Sequence, residues 1–304
     1  MKIDINGGSL AGKFKIEALK IDTNGEEIKG SRRILADWFD NLITDNGLDL
    51  FGGSSYLAYC QVGSGSTTPA NGNTALASFV AGTSTTQSSS QGAQASAPYF
   101  CWRQKQFRFA AGVAAGNLAE VGIGASNSGN LFSRALILDN VGSPTTITVL
   151  GDEVLDVTYE LRVYPPTTDW TGTVTLDSVS YSVTGRAAGV ISNTYWAMAA
   201  VGSNNSLVSC AAYNGSIGAI TTIPSGTPGS VSSLSTGSYS AASLQKSGSL
   251  VWDLNSGNLS GGITAMLMTF GAGSYQFGFS PAIPKNNTKV LSLDVKTSWA
   301  RKTL

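Results

Sequence analysis

Residues 153–164 read E-V-L-D-V-T-Y-E-L-R-V-Y, and no other run restricts the fold of this chain as much. Leu155, Val157, Tyr159, Leu161 and Val163 fall on one side of an extended backbone, and Asp156, Thr158, Glu160 and Arg162 fall on the other. A period of two carried by β-branched and aromatic residues is the pattern of a strand with one face on a core. Pro165 and Pro166 end it, because proline has no N–H to give to a sheet ladder. Near the end of the chain Leu291, Leu293, Val295, Thr297 and Trp299 alternate with Ser292, Asp294, Lys296 and Ser298, and both runs contain L-D-V. Each reads as the closing strand of a β-domain. The expected fold is mainly all-β: two tandem β-sandwich-like domains, 1–168 and 169–304, with one amphipathic helix in the first.

That helix is expected over 32–46. Ser31 can cap it, and Ile34, Leu35, Trp38, Phe39, Leu42 and Ile43 recur at the i, i+3, i+4 spacing of one apolar face, with Asn46-Gly47 as a left-handed stop. Trp38 and Phe39 read as core anchors within that stripe. Asn24-Gly25 marks a tight turn after a strand pattern, and residues 56–62 form another strand pattern. Residues 66–94 are rich in Ser, Thr, Gly, Ala and Gln and read as a long surface loop or an arm that makes contacts. Residues 99–109 read as a strand whose Arg103, Lys105 and Arg108 form one polar face. Such charges serve as a solvated edge or meet an anionic partner.

The second half echoes the first in order. Residues 172–185 align without gaps with 12–25, 195–203 with 56–64, Trp252 with Trp102, 279–283 with 132–136, and the second L-D-V with the first. A tandem duplication with its boundary near 165–170 would produce this, the second domain being a degenerate copy.

Lys and Arg total 19 and Asp and Glu total 19, so net charge is zero and nothing points to nucleic-acid binding through phosphates. Charge is also uneven. Between Ser178 and Pro284 only Arg186, Lys246 and Asp253 are charged. Soluble surfaces normally carry mixed charge, so this stretch reads as surface that meets another subunit, or as a neutral surface solvated by hydroxyls and amides. No run is long and apolar enough for a membrane span. Cys60, Cys101 and Cys210 have neither zinc-site nor disulfide-framework spacing and read as free thiols. The polar start lacks a signal-peptide pattern, which predicts synthesis in a reducing cytoplasm.

The chain contains no His, which removes every Ser-His or Cys-His nucleophile pair and the commonest metal ligand. Ser64 in G-S-G-S has no base to activate it and reads as a turn. Residues 122–127 open like a dinucleotide fingerprint but lack the third glycine and a following helix. Residues 22–27 carry oxygen ligands yet fit a hairpin turn better than a calcium loop. Asp152, Glu153, Asp156 and Glu160 are the densest carboxylates; they lie along a strand beside Arg162 and read as a sheet face rather than a hydrolytic pair. No catalytic, cofactor-binding or metal-binding residue is therefore expected. The expected interface residues are Arg103, Lys105, Arg108, Thr158, Glu160, Arg162, Tyr213 and Tyr239.

Several runs carry a family resemblance: residues 38–48 (W-F-D-N-L-I-T-D-N-G-L), 62–77 (V-G-S-G-S-T-T-P-A-N-G-N-T-A-L-A), 116–124, 131–138 (L-F-S-R-A-L-I-L) and 144–164. As a set, spanning roughly 35–165, they resemble virion structural proteins of tailed bacteriophages, of the tail, collar and fibre-associated kind. The resemblance implies a non-enzymatic building block, made in the host cytoplasm and placed in the virion. Its partners would be copies of itself and other phage structural proteins. Two alternatives accompany it. One is a capsid decoration protein that cements head subunits. The other is a module that binds a host-surface glycan through exposed tyrosines such as Tyr213, Tyr239 or Tyr275. No site residue carries over from the family.

Overall fold

A computed structural model describes residues 2–53, 56–196, 205–271 and 273–303. The chain is mainly β. Its first half contributes β1 (Lys2–Ile5), β2 (Ser9–Leu19), β3 (Arg33–Asp40), β4 (Leu42–Ile43), helix α1 (Asp45–Gly53), β5 (Tyr59–Gly63), β6 (Phe79–Thr83) and β7 (Thr86–Ala93). It continues with β8 (Cys101–Phe109), β9 (Gly116–Leu118), β10 (Glu120–Gly124), β11 (Leu131–Leu136), β12 (Ile147–Val149) and β13 (Val154–Tyr164). The second half adds β14 (Trp170–Leu176), β15 (Val179–Ala187), β16 (Leu207–Tyr213), β17 (Pro228–Ser230) and β18 (Ser233–Thr236). It ends with β19 (Gln245–Trp252), β20 (Ile263–Phe270), β21 (Gly273–Ile283), β22 (Leu291–Ser298) and β23 (Ala300–Arg301).

In the first half one sheet runs β2-β13-β8-β7, with β3 and β23 both beside β2, and a second runs β4-β11-β10-β5-β6. The strand that dominates the sequence lies in the middle of the first sheet, paired along its length with β2 and β8. Leu155, Val157, Tyr159, Leu161 and Val163 point inward with Phe14, Ile16, Phe107 and Phe109, all buried. Each such side chain contributes about 1.5–3 kcal/mol on leaving water. The Phe14 and Tyr159 rings pack 4.9 Å apart between centroids. Residues 66–94 are not one loop or arm: 79–83 and 86–93 are edge strands of the two sheets, so the chain crosses from one layer to the other there.

The expected helix over 32–46 is a correction. Residues 33–40 are β3, and the helix starts later, at Asp45. Where β3 pairs with β2 the register slips, so that Phe39 faces Phe14 while Ala36 faces Ile16. The extra residue on β3 gives buried positions spaced by three, which imitates a helical stripe. Ile34 and Trp38, read as part of that stripe, are 58% and 40% exposed, so Trp38 is not a core anchor. Asn46-Gly47 opens the helix instead of ending it. Thr44 caps it, its hydroxyl accepting the Gly47 N–H at 2.9 Å. Glycine is required at 47 because a Cβ would lie 1.9 Å from the Phe132 carbonyl oxygen.

The second half holds a six-stranded sheet, β14-β15-β21-β20-β16-β17, and a four-stranded sheet, β1-β22-β19-β18. The two halves therefore exchange their ends. β1, from the start of the chain, pairs in parallel with β22, and β23, from its end, pairs in parallel with β2. Trp299 bridges them: its Nε1 donates to the Leu48 carbonyl of α1 at 2.7 Å and its ring meets Phe51 edge-on. The division at 168 thus leaves residues 2–5 and 300–301 on the wrong sides.

The alignment offered for a duplication is also corrected. Residues 12–19 belong to one interior strand, whereas 172–185 form a hairpin whose turn, Asp177-Ser178, would match Glu17 and Ala18, which are still paired within that strand. A shared rhythm of alternating residues matched two unrelated positions. The echo at 195–203 falls mostly outside the described residues.

Candidate functional site

Six of the eight expected interface residues sit on β8 and β13, and strand parity separates them into two groups. Arg108, Thr158, Glu160 and Arg162 share the outer face of the central sheet with Lys13, Lys15, Glu17, Gln104 and Gln106. Arg103 and Lys105 point to the opposite face, alongside Cys101 and Phe107, because they are an odd number of residues from Arg108. The expectation that all three cations share one polar face is corrected, and the period-two rule was enough to find it.

The outer face is a mesh of ion pairs, not an open solvated surface. Asp156 is buried and takes two bonds from Arg108 at 2.7 Å each. Arg32, on the loop following β2, lies over Glu17 and Asp156 and bonds Glu27 at 2.6 Å. Glu160 accepts from Gln104 at 2.6 Å and pairs with Arg162, while Lys13 and Lys15 pair with Asp40 and Glu17. Thr158, half-buried, sits between Lys15 and Gln106. The other carboxylates of this run are likewise engaged: Asp152 with Lys20 at 2.7 Å, and Glu153 with Arg33 at 2.7 Å and the Leu150 N–H. The Arg33 guanidinium holds the Glu153 carboxyl below its usual range, and Lys20 does the same to Asp152. These two acids are each held charged by a cation, which suits a structural brace and not a proton donor.

On the opposite face Lys105 reaches the Leu57 carbonyl at 2.9 Å and lies 4.6 Å over the Phe107 ring; burial lowers its affinity for a proton. Arg103 donates to Ser89 Oγ at 3.2 Å. Both cations thus tie neighbouring segments together.

The tyrosines are not exposed platforms. Tyr213 lies in β16 and Tyr275 in β21, both buried. Tyr239 is half-buried against Trp299 and donates to Asp49 of α1 at 2.7 Å, which pins its loop onto the helix. Burial first, and then the bond to Asp49, push its phenol up to about 12. Cys60, Cys101 and Cys210 are free and buried, and burial pushes the Cys101 thiol up to about 12, so it is not a ready nucleophile. Asp22 uses its carboxylate to accept the Asn24 and Glu26 N–H groups at 2.9 Å each, the turn expected there.

Two buried knots went unread in the sequence. Glu120 accepts the N–H groups of Gly65, Ala77 and Ser78 at 3.1, 3.0 and 2.7 Å and pairs with Arg134, which also donates to the Thr67 carbonyl and Asn73. In the second half Gln276, fully buried, accepts from the Gly218 N–H at 2.7 Å and donates to carbonyls around residues 218–222. Opposite lone charges in two apolar strand runs at hairpin spacing were the available signal for the first; a lone Gln offered none.

A cleft of about 700 Å³ lies at the junction of the halves and is lined by Tyr99, Tyr164, Pro165, Pro166, Trp299 and Lys302 among others. Lys302 lies 5.1 Å over the Tyr164 ring, and Phe100 packs against that ring as well, so Tyr164 is already occupied. Among the described residues no group of three metal-ligating side chains converges, and no helix is long and apolar enough to cross a membrane. The geometry defines a braced, mainly β chain. No family model, curated protein or solved structure matches it.

Proposed function

We propose that this chain is a structural component of a tailed-phage particle, assembling by symmetric subunit contacts in the tail, neck or fibre-attachment region. One observation carries the reading. Only three charges lie between 178 and 284 and each is bonded within the chain, so that stretch presents a sparsely charged surface. Arg186 bonds Asp169 at 2.8 Å and the Gly218 carbonyl, buried Lys246 donates to the Gly52 carbonyl at 3.2 Å, and Asp253 accepts the Asn255 N–H at 2.9 Å. Neutral hydroxyl and amide surface exchanges water for a neighbour at little cost, whereas an unpaired charge does not. The phage assignment itself rests on the sequence resemblance.

Function on this reading is association: sheet edges and neutral faces meet other subunits, while the ion-pair mesh keeps each subunit rigid. A cementing role on the head uses the same chemistry at another location. A glycan-binding role loses its proposed platform, since Tyr213 and Tyr275 are buried and Tyr239 is packed on Trp299. Reconstruction of particles that carry the chain tests the proposal. Density for it in a ring around the tail or neck axis is the expected result; density on the head lattice favours cementing, and absence from the particle overturns both.

A further inference from the structure

Sheet edges are where a neutral β protein can be joined, and most edges here are protected. β1 carries Lys2 and Asp4, β17 is three residues long and begins with Pro228, and β18 has four residues. The register of β7 slips between Thr86 and Ser88, and that of β6 slips opposite Val62 and Gly63. Short length, charge, proline and bulges are the devices that keep edges from pairing. β14 has none of them. It runs W-T-G-T-V-T-L through seven residues with unbroken register against β15.

The hydrogen-bond phase of β14 follows from its turn. Asp177 and Ser178, with φ of 47° and 63°, form a two-residue loop closed by the Leu176–Val179 pair. Such a loop is flanked by a pair that exchanges both bonds, so Leu176, Val174, Gly172 and Trp170 bond to β15. On the far side of β15 the Ala188 N–H donates to the Ser274 carbonyl, which fixes the same alternation. The N–H and C=O groups of Thr171, Thr173 and Thr175 therefore point outward. These three residues are exposed, and open space lies around Gly172.

The outward groups are symmetric about Thr173. We propose that β14 pairs antiparallel with β14 of a second copy of this chain across a two-fold axis at Thr173, joining two six-stranded sheets into one. This rests on the assembly reading above and gives it a contact. In that register Thr173 faces its own mate and Thr171 faces Thr175 of the other copy, so all outward groups of the three threonines find partners. Threonine meets threonine on one face, a favourable cross-strand pair. On the other, Trp170 faces Leu176 of the second copy, and Val174 faces Gly172. Those four positions are uncharged; just beyond them Asp169 faces Asp177 of the second copy, and each of these acids is paired within its own chain, with Arg186 and Lys289. The two-fold also explains why the occupant is a second copy: the T-x-T-x-T run reads the same in either direction.

Cysteine cross-linking of the full chain tests the register. Directly opposed residues of a bonded pair have Cα atoms about 5.5 Å apart, within disulfide range. Oxidised Thr173→Cys should run as a covalent dimer. Thr171→Cys should not, since in this register position 171 lies about 13 Å from its own mate. The wild-type thiols are buried and give the background. Thr173→Pro should weaken self-association at least tenfold by sedimentation, with an unchanged circular dichroism spectrum, because that N–H is not used within the subunit. Thr173→Lys, which sets like charges face to face, should act in the same direction. Self-association that survives both substitutions, without a Thr173→Cys dimer, overturns this contact while leaving assembly standing. Equal cross-linking of Thr171→Cys overturns the register. A wild-type chain that stays monomeric overturns the contact outright, and the particle reconstruction then decides the assembly reading separately.

Discussion

Glu120 in the first half and Gln276 in the second each anchor a long loop from a buried strand position, and they do so with different chemistry. Around Glu120, a carboxylate and the Arg134 guanidinium divide the work: one takes the N–H groups of the 64–78 loop, and the other takes a carbonyl and an amide oxygen. Around Gln276 a single amide supplies both donor and acceptor to the 218–222 turn. A paired charge binds more groups strongly but fails badly when one member is lost; a neutral amide fails mildly. The contrast runs through the molecule. The first half braces itself with many ion pairs, and the second relies more on hydroxyls, amides and aromatic packing, which leaves its exterior sparsely charged.

Denaturant unfolding of variants should separate the two knots. Glu120→Ala strands Arg134 as an uncompensated buried cation and should lose about 3–5 kcal/mol, the largest effect expected. If Glu120→Ala falls below 1 kcal/mol, the charged knot is not what holds the 64–78 loop. Gln276→Ala leaves neutral groups unpaired and should lose about 1–3 kcal/mol, so a value above that of Glu120→Ala reverses the comparison.

Tyr239 tests the join between the halves. Tyr239→Phe keeps the ring against Trp299 but drops the bond to Asp49, for a loss of about 1 kcal/mol. Its folded phenol is raised to about 12 from an ordinary 10.0, so its contribution is full below about pH 10 and disappears as pH rises through about 12. The difference between wild type and Tyr239→Phe should therefore shrink across that alkaline window; a constant difference contradicts the assigned bond. Smallest of all, Thr171→Ala on the exposed edge should change the stability of the single chain by no more than about 0.5 kcal/mol.

Alternation made the central strand, the closing strand and the β class legible, because a period of two survives any tertiary context that buries one face. What alternation could not reveal was which strands are covered on both faces. Asp156 looked like a solvated residue because its Arg108 partner lies on a strand 48 residues away and Arg32 closes over it from a loop. The β3 bulge wrote a helical spacing into a strand, and the true helix, nine residues with a Gly at 47, was too short to show a stripe. Exchange of the terminal strands was invisible for a different reason: nothing local in K-I-D-I says which sheet it will join. The exposed tyrosines failed because Ser/Gly-rich neighbours suggest a loop even where, as at Tyr213, the residue ends a strand.

Sedimentation of the purified full chain across a wide concentration range tests the central claim most directly. If the sparsely charged second half exists to meet other copies, the weight-average mass should climb above that of one chain as concentration rises, with little dependence on salt because the strand that pairs carries no charge of its own. A mass that stays at one chain throughout, or an association abolished by salt, would contradict it.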